Sequence, residues 1–355
     1  MDNKHGGNIH EVRRMQGSME IIDFSANINP LGISEKCKKA IIDSIDDLIH
    51  YPDPDYFDLK QAIGAYHEIG QNRIVLGNGA IDCIFQIAEF MNVEEALILA
   101  PTFIEYERAF LRNGTKVKRH NLSLDRGFKL DADAFIEELT DSVGAAVICN
   151  PNNPTGQVVP SEDMMRIMEH CKSKGIYLVI DEAFMEFIDD EEANSMIHRL
   201  EDFDNLIILR SLTKFFAIPG LRLGYFLTSN QDILDEALRY RIPWTINTIA
   251  ANLAVEALKD GEYISEAREY IKKEREWLYS QLSEIDGLSV FEPTANYIFF
   301  KVEKLMDLKG MMLKEGIMIR HCANYYNLDE SYYRVAVKER SQNEKLSEVL
   351  KRMMK

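Results

Sequence analysis

Nothing in these 355 residues is long and apolar enough to span a bilayer, because no hydrophobic run approaches the roughly 20 residues such a helix needs. The opening stretch MDNKHGGNIHEVRR has no apolar core, so no secretory leader is expected and the chain is read as cytoplasmic. Cysteine is sparse. Cys37, Cys83, Cys149, Cys171 and Cys322 are odd in number, far apart and form no CxxC. That excludes a disulfide framework or a thiolate zinc site and suits reduced thiols; no metal is expected. Positive charge is in deficit, 41 Lys and Arg against 58 Asp and Glu, for a formal net charge of −17. Nucleic acid and anionic membranes are therefore poor partners. An anionic small molecule stays open, because salt screens the global field within about 10 Å and arginines inside a cleft dominate locally. Serine-hydrolase signatures are missing too. SLTK (211–214) fits S-x-x-K, but SDN and KTG are absent, and no GxSxG accompanies HGGN (5–8).

What is present is strand–helix alternation. Short apolar runs at Ile74–Leu76, Ala96–Leu99, Ala145–Cys149, Ile176–Ile180 and Leu206–Leu209 are expected strands. Helix-spaced segments such as ADAFIEELT and EDMMRIMEHCKSKG lie between them, a pattern that predicts an α/β layer fold with a mostly parallel sheet. After Trp244 the pattern changes to long charged helices, then strand-like segments at 296–302, 316–320 and 332–337 and a final helix, read as a smaller α+β unit. At this length two packed units are expected. We place an N-terminal arm over 1–49, a large unit over 50–250 and a small one over 251–355. Ser34 is expected to cap a helix running through Ile49 and packing on the small unit. The acidic run 189–192 is expected to be a solvated loop.

The informative polar residues sit at the ends of the expected strands, where open α/β sheets bind ligands. Gly77-Asn78-Gly79 opens a helix and offers N–H groups and a positive dipole end to a phosphate, though it lacks the third glycine of GxGxxG. NPNNPTG (150–156) follows the third strand, Asp181 the fourth, and Ser211 and Lys214 the fifth. A lysine in apolar surroundings loses solvation of its charged form and becomes nucleophilic. A carboxylate beyond an apolar strand needs a cationic partner, such as a pyridinium nitrogen. Phe103 could stack on a flat ring, and Ser211 and Arg222 could add to a phosphate site. Together these parts describe pyridoxal 5′-phosphate.

DEAF (181–184) before SLTKFFAIPGLRLGY (211–225), with NPNNPTG upstream, resembles the fold-type I pyridoxal-phosphate enzymes of the aspartate aminotransferase class, in their histidinol-phosphate aminotransferase branch. Within that branch HGGN (5–8), DFSANINPLG (23–32), YPDPDYFDL (51–59) and IRHCANYYNLDESYYRVAV (319–337) are similar to the threonine-phosphate decarboxylases of cobalamin synthesis. The resemblance implies Lys214 as Schiff-base lysine, Asp181 as partner of the ring nitrogen, Asn153 as donor to the ring hydroxyl oxygen and Phe103 as stacking ring. It implies Gly79, Ala80, Ser211 and Arg222 at the cofactor phosphate. Tyr51 would reach that phosphate in a neighbouring subunit, so a homodimer with shared sites follows. Arg334 would hold the substrate carboxylate, with Asn153 beside it. Arg320, His5 and Asn29 would meet the substrate phosphate, and Asn27 would close over it. The implied activity is decarboxylation of O-phospho-L-threonine to (R)-1-amino-2-propanol O-phosphate. Histidinol-phosphate aminotransferase and O-phospho-L-serine decarboxylase are the alternatives. Two positions depart from the aminotransferase pattern: Phe184 stands where many have tyrosine, and Asp82 replaces a glutamate at a shifted place.

Overall fold

The computed structural model describes residues 5–16 and 20–355. A two-residue strand, β1 (Ile22–Asp23), precedes β2 (Ile74–Gly77), β3 (Glu95–Ala100), β4 (Lys116–Asn121), β5 (Ala145–Cys149), β6 (Tyr177–Asp181), β7 (Leu206–Ser211) and β8 (Gly224–Thr228). The last seven form one sheet in the order β2-β8-β7-β6-β5-β3-β4. Strand β8 runs antiparallel to both its neighbours and the other pairs are parallel. This is the α/β fold with a mostly parallel sheet that the alternation predicts.

Every residue of β5 is buried. Ala146 and Ile148 join Leu178, Ile180 and Ile208 in one core, closed by Met164 and Ile167 of the helix Ser161–Lys174. Ala145 and Val147 join Val179, Ile207 and Leu209 in another, closed by Ile84 and Ile87 of the helix Ala80–Met91. Successive strand residues point to opposite faces, and both faces are covered, so these strands read as unbroken apolar runs. Two strands lack that signal. Strand β4, KVKRHN, lies at the sheet edge, where charge protects unpaired backbone. Strand β8, GYFLT, offers only the three-residue apolar run YFL and is not among the expected strands.

The C-terminal region adds β9 (Leu288–Val290), β10 (Tyr297–Val302), β11 (Ile317–Met318), β12 (Arg320–His321) and β13 (Tyr332–Ala336). An antiparallel sheet forms in the order β12-β13-β10-β9. The segment 316–320, expected as one strand, splits: β11 pairs parallel with β1, and β12 pairs with β13. Phe24, Ile298, Phe300 and Val335 form this region's core with Leu278 and Leu282 of the helix Gly261–Ser283 and Leu346 and Leu350 of the helix Arg340–Met353.

The N-terminal helix is shorter than expected. Ser34 caps it through Cys37 N–H at 3.2 Å, but it spans only Glu35–Asp43. Ser44 Oγ donates back to Ala40 O at 2.7 Å, and Asp46–Ile49 forms a separate 3₁₀ turn. The helix packs on the helix Thr248–Lys259, with Cys37 in the large core, whereas Phe24 just upstream is in the small one. The acidic run is not merely solvated: Asp189 pairs with Arg275, and Glu191 with both Arg210 and Arg268. Among the described residues no helix is long and apolar enough to cross a membrane, and no group of three or more His, Cys, Asp or Glu is placed to hold a metal.

Candidate active site

Strand register gathers the chemistry at one end of the sheet. Gly77 on β2 pairs with Gly224 on β8, which pairs with Ser211 on β7. Asp181 on β6 lies between Cys149 on β5 and Leu209 on β7. The loops leaving these residues enclose a cavity of about 560 Å³ lined by Ala80, Phe103, Asn153, Asp181, Ser211, Lys214 and Arg222 on one side. The other side is closed by His5, Asn27, Arg320, Arg334 and Lys338.

At the sheet side, Lys214 lies within the short helical turn Leu212–Phe215 that leaves β7, and its Nζ donates to Ser211 Oγ at 3.3 Å. The ammonium lies 4.9 Å from the centre of the Phe184 ring. Burial pulls its pKa below the ordinary lysine value, against the attraction of Asp181 and more distant acids. Asp181 is 5% exposed. Its Oδ1 accepts from Ala183 N–H at 2.8 Å and its Oδ2 from the Tyr106 hydroxyl. Burial pushes this carboxyl up, so a cation facing it is what would hold it ionised. NPNNPTG supplies one asparagine to the cavity and spends the other two on its own shape. Asn150 accepts from Val159 N–H, and Asn152 bonds Thr102, Thr155 and Pro101 O. Asn153 directs its Oδ1 to Arg334 and to the Tyr325 hydroxyl. Its amide nitrogen is thereby left for a ligand.

The phosphate end depends on missing side chains. Gly79 has φ +83°, and a Cβ there would lie 2.5 Å from the Arg222 guanidinium. A Cβ on Gly224 would lie 2.3 Å from Ala80 N. Only glycine lets β8 approach the helix start so closely. Asp82 resolves as a loop brace: its Oδ2 accepts from Asn78 N–H at 2.9 Å and Gln86 at 3.0 Å, away from the cavity. The residues therefore fit pyridoxal 5′-phosphate. A glycine cradle, a helix N-terminus, Ser211 and Arg222 suit its phosphate, Asp181 its ring nitrogen, Asn153 its ring oxygen, Phe103 its ring face and Lys214 its aldehyde carbon.

On the opposite side, Arg334 (β13) and Arg320 (β12) are directly paired across strands. Like charges so placed repel unless an anion lies between them. Arg334 donates to Asn153 Oδ1 and to Ser25 O at 2.8 Å, while its buried Nε has no partner among the described residues. Arg320 donates to Asn324 at 2.7 Å and lies 5.2 Å over the Tyr325 ring. Asn27 lines the cavity with a buried, unpartnered Oδ1. His5 also lines it, bonded to Glu105 at 2.8 Å with its ring 5.6 Å from Phe103.

Two expected residues lie elsewhere. Asn29 does not line the cavity. Its amide nitrogen donates to Phe215 O at 2.8 Å and Tyr263 Oη at 3.1 Å, and its own N–H to Lys214 O at 3.1 Å. No donor remains for a substrate phosphate, so the expected contact is replaced by a brace under the Lys214 turn. Tyr51 is 78% exposed and stacks on Trp244 at 4.5 Å, outside its own chain's cavity. Sequence reasoning missed Tyr106, Tyr325 and Lys338. Tyr106 stands three residues after Phe103, one helical turn on; the other two carry no local signal.

The family profile described as aminotransferase class I and II matches residues 19–352. Threonine-phosphate decarboxylase of Salmonella typhimurium is 39% identical over 353 residues, covering 99% of this chain and 96% of that protein. Histidinol-phosphate aminotransferase of Methanosphaera stadtmanae is 31% identical, covering 94% of this chain and 90% of that protein. The crystal structure of the histidinol-phosphate aminotransferase of Clostridium acetobutylicum superposes with TM-score 0.88 at 35% identity, covering 93% of this chain and 98% of that one. The chain belongs to the class I and II aminotransferase family.

Proposed function

We propose that this protein is a pyridoxal-phosphate-dependent carboxy-lyase converting O-phospho-L-threonine to (R)-1-amino-2-propanol O-phosphate for cobalamin synthesis. The observation that carries this is the pairing of Arg334 and Arg320 on adjacent strands, with Arg334 bonded directly to Asn153. Two guanidinium groups at one wall suit a substrate with both a carboxylate and a phosphate. Histidinol phosphate has the phosphate but no carboxylate on its reacting carbon. The similarity to the Salmonella decarboxylase supports the same choice.

The bound cofactor supplies an electron sink for the pair left when a bond to Cα breaks. This chain's residues decide which bond that is. Arg334 holds the carboxylate beside Asn153, so that the bond to carbon dioxide is the one presented for cleavage. Asp181, fixed by Tyr106 and Ala183 N–H, holds a proton at the ring nitrogen. Lys214, with its pKa lowered by burial, is suited to carry the proton that Cα takes up after CO2 leaves. Phe103 and Phe184 keep water from the reacting carbon. Phe184 packs edge-on against Tyr297 at 5.1 Å and offers no hydroxyl.

A second copy of the chain completes this reading. Tyr51 and Trp244 stack as an exposed aromatic pair, and Tyr51 would enter the partner's phosphate site. Purified protein loaded with pyridoxal phosphate should release CO2 from O-phospho-L-threonine without any oxo acid. Turnover that requires an oxo acid and releases no CO2 would instead make it an aminotransferase. O-phospho-L-serine as a parallel substrate measures the value of one methyl group, about 1–3 kcal/mol.

A further inference from the structure

Lys338 is a cavity-lining cation with no assigned role. It stands two residues beyond the end of β13 and lines the same cavity as Arg320, Arg334 and Asn27. Its backbone is clamped: Asn343 Oδ1 accepts the Lys338 N–H at 3.0 Å, and Asn343 Nδ2 donates to the Lys338 carbonyl at 2.7 Å. Asn343 is fully buried and is held in turn by Glu274 at 3.1 Å. The lysine is thus aimed from a rigid mount. Among the described residues its ammonium makes no hydrogen bond or ion pair; burial pulls its pKa below the ordinary lysine value, against the attraction of Asp23 and Glu339. Asp23 also lines the cavity, and its Oδ1 is taken by Ser25, accepting the N–H at 2.8 Å and the hydroxyl at 2.6 Å. A half-buried ammonium without a partner is costly unless an anion meets it.

The charge count at this wall points the same way. A phosphate monoester carries close to two negative charges at pH 7. Arg334 is committed to Asn153 and Ser25 O and stands for the carboxylate, which leaves Arg320 as the one arginine for a dianion, beside His5, whose Nε2 is engaged by Glu105. We propose that Lys338 is the second cation of the substrate's phosphate pole, acting with Arg320 to select the dianionic phosphomonoester. This rests on the decarboxylase reading for the identity of the substrate, but not for the anion site itself.

The test uses Lys338→Met, which keeps length and apolar bulk without charge, and Lys338→Arg, both as holoenzyme. Calorimetric titration with 1-amino-2-propanol O-phosphate, and with inorganic phosphate, should weaken about 10- to 100-fold in Lys338→Met, the range of a lost charge-assisted hydrogen bond. Lys338→Arg should recover most of it. KM for O-phospho-L-threonine should rise in parallel with kcat within a few-fold. The preference for the phosphate ester over the monoanionic O-sulfo ester should collapse. Unchanged affinity in Lys338→Met, or equal losses for phosphate and sulfate esters, would overturn the proposal. Should the wild type release no CO2 yet lose phosphate affinity on substitution, the decarboxylase reading fails while the Lys338 site stands.

Discussion

The two poles of the cavity are built differently. The cofactor pole comes from successive loops leaving one sheet, each a contiguous motif whose place is set by strand register: Gly77 beside Gly224 beside Ser211, and Asp181 beside Cys149. The substrate pole is assembled from remote pieces: residues 5–7 and 23–28, Arg320 on β12, Arg334 on β13 and Lys338 beyond it. Asn153, bonded to Arg334, and Phe103, in ring contact with His5, join the two. A cofactor pole of this kind serves any chemistry that breaks a bond to Cα. The other pole chooses the substrate and the bond. Substitutions at the first should therefore abolish chemistry wholesale, and those at the second should change affinity and specificity.

The largest effect is expected at Lys214. Lys214→Ala should lose more than about 10⁴-fold in kcat/KM, because a covalent anchor and a proton carrier go together. It should also lose borohydride-stable incorporation of the cofactor. Retention of both would break the assignment of this pole. Asp181→Asn comes next, at about 10³-fold in kcat with the fold unchanged by circular dichroism, since the amide oxygen still accepts from Ala183 N–H and its NH2 can donate to the Tyr106 oxygen, but a neutral amide cannot hold a proton on a pyridine nitrogen. A variant within tenfold of wild type would mean that nitrogen needs no acidic partner here.

Arg334→Lys probes the other pole. It keeps the charge but loses the planar fork that reaches Asn153 and Ser25 O together. We expect about 10² in kcat/KM for O-phospho-L-threonine and a new side reaction, transamination, as the carboxylate loses its fixed place. Amine transfer to pyruvate or 2-oxoglutarate measures it. A loss carried wholly by kcat with no change in product partition would erase the distinction between the poles.

The same contrast explains what the sequence made legible. β3, β5, β6 and β7 are buried on both faces, so apolar runs announce them, and their loops carry the motifs. Strand β4 is polar because it is an edge, and β11 and β12 are two residues each, too short for any periodicity to separate. Asn29 sits two residues from Asn27 in DFSANINPLG, yet Asn27 lines the cavity and Asn29 turns under the Lys214 segment. Local pattern could not divide those roles. Lys338 is one lysine among many until Asn343, five residues on, fixes its backbone. The acidic run 189–192 resembles solvated sequence because its arginine partners, Arg210, Arg268 and Arg275, arrive from other elements.

The smallest effect concerns stability behind the cofactor pole. Arg210, fully buried at the end of β7, meets Glu182 at 2.7 Å, Glu191 at 2.8 Å and Glu186 at 3.3 Å. Neither carboxyl oxygen of Glu186 has a hydrogen bond among the described residues. Burial, opposed by Arg210, raises its pKa from the ordinary 4.5 to about 7. A raised acid binds its proton more tightly when folded, so its contribution is fully present below pH 4.5. That contribution falls as pH climbs from 4.5 to about 7, and is flat above. The shift corresponds to roughly 3 kcal/mol at most. Glu182, also raised by burial, adds a slope of the same sign. Glu186→Gln should therefore stabilise the protein at pH 8 relative to wild type and narrow the gap in Tm between pH 5 and pH 8 by a few degrees, leaving kcat nearly unchanged. Identical pH slopes in wild type and variant would show that Glu186 is ionised throughout. Arg210 would then face three ionised carboxylates, with Arg268 sharing Glu191, and the cofactor pole would rest on a fully charged support.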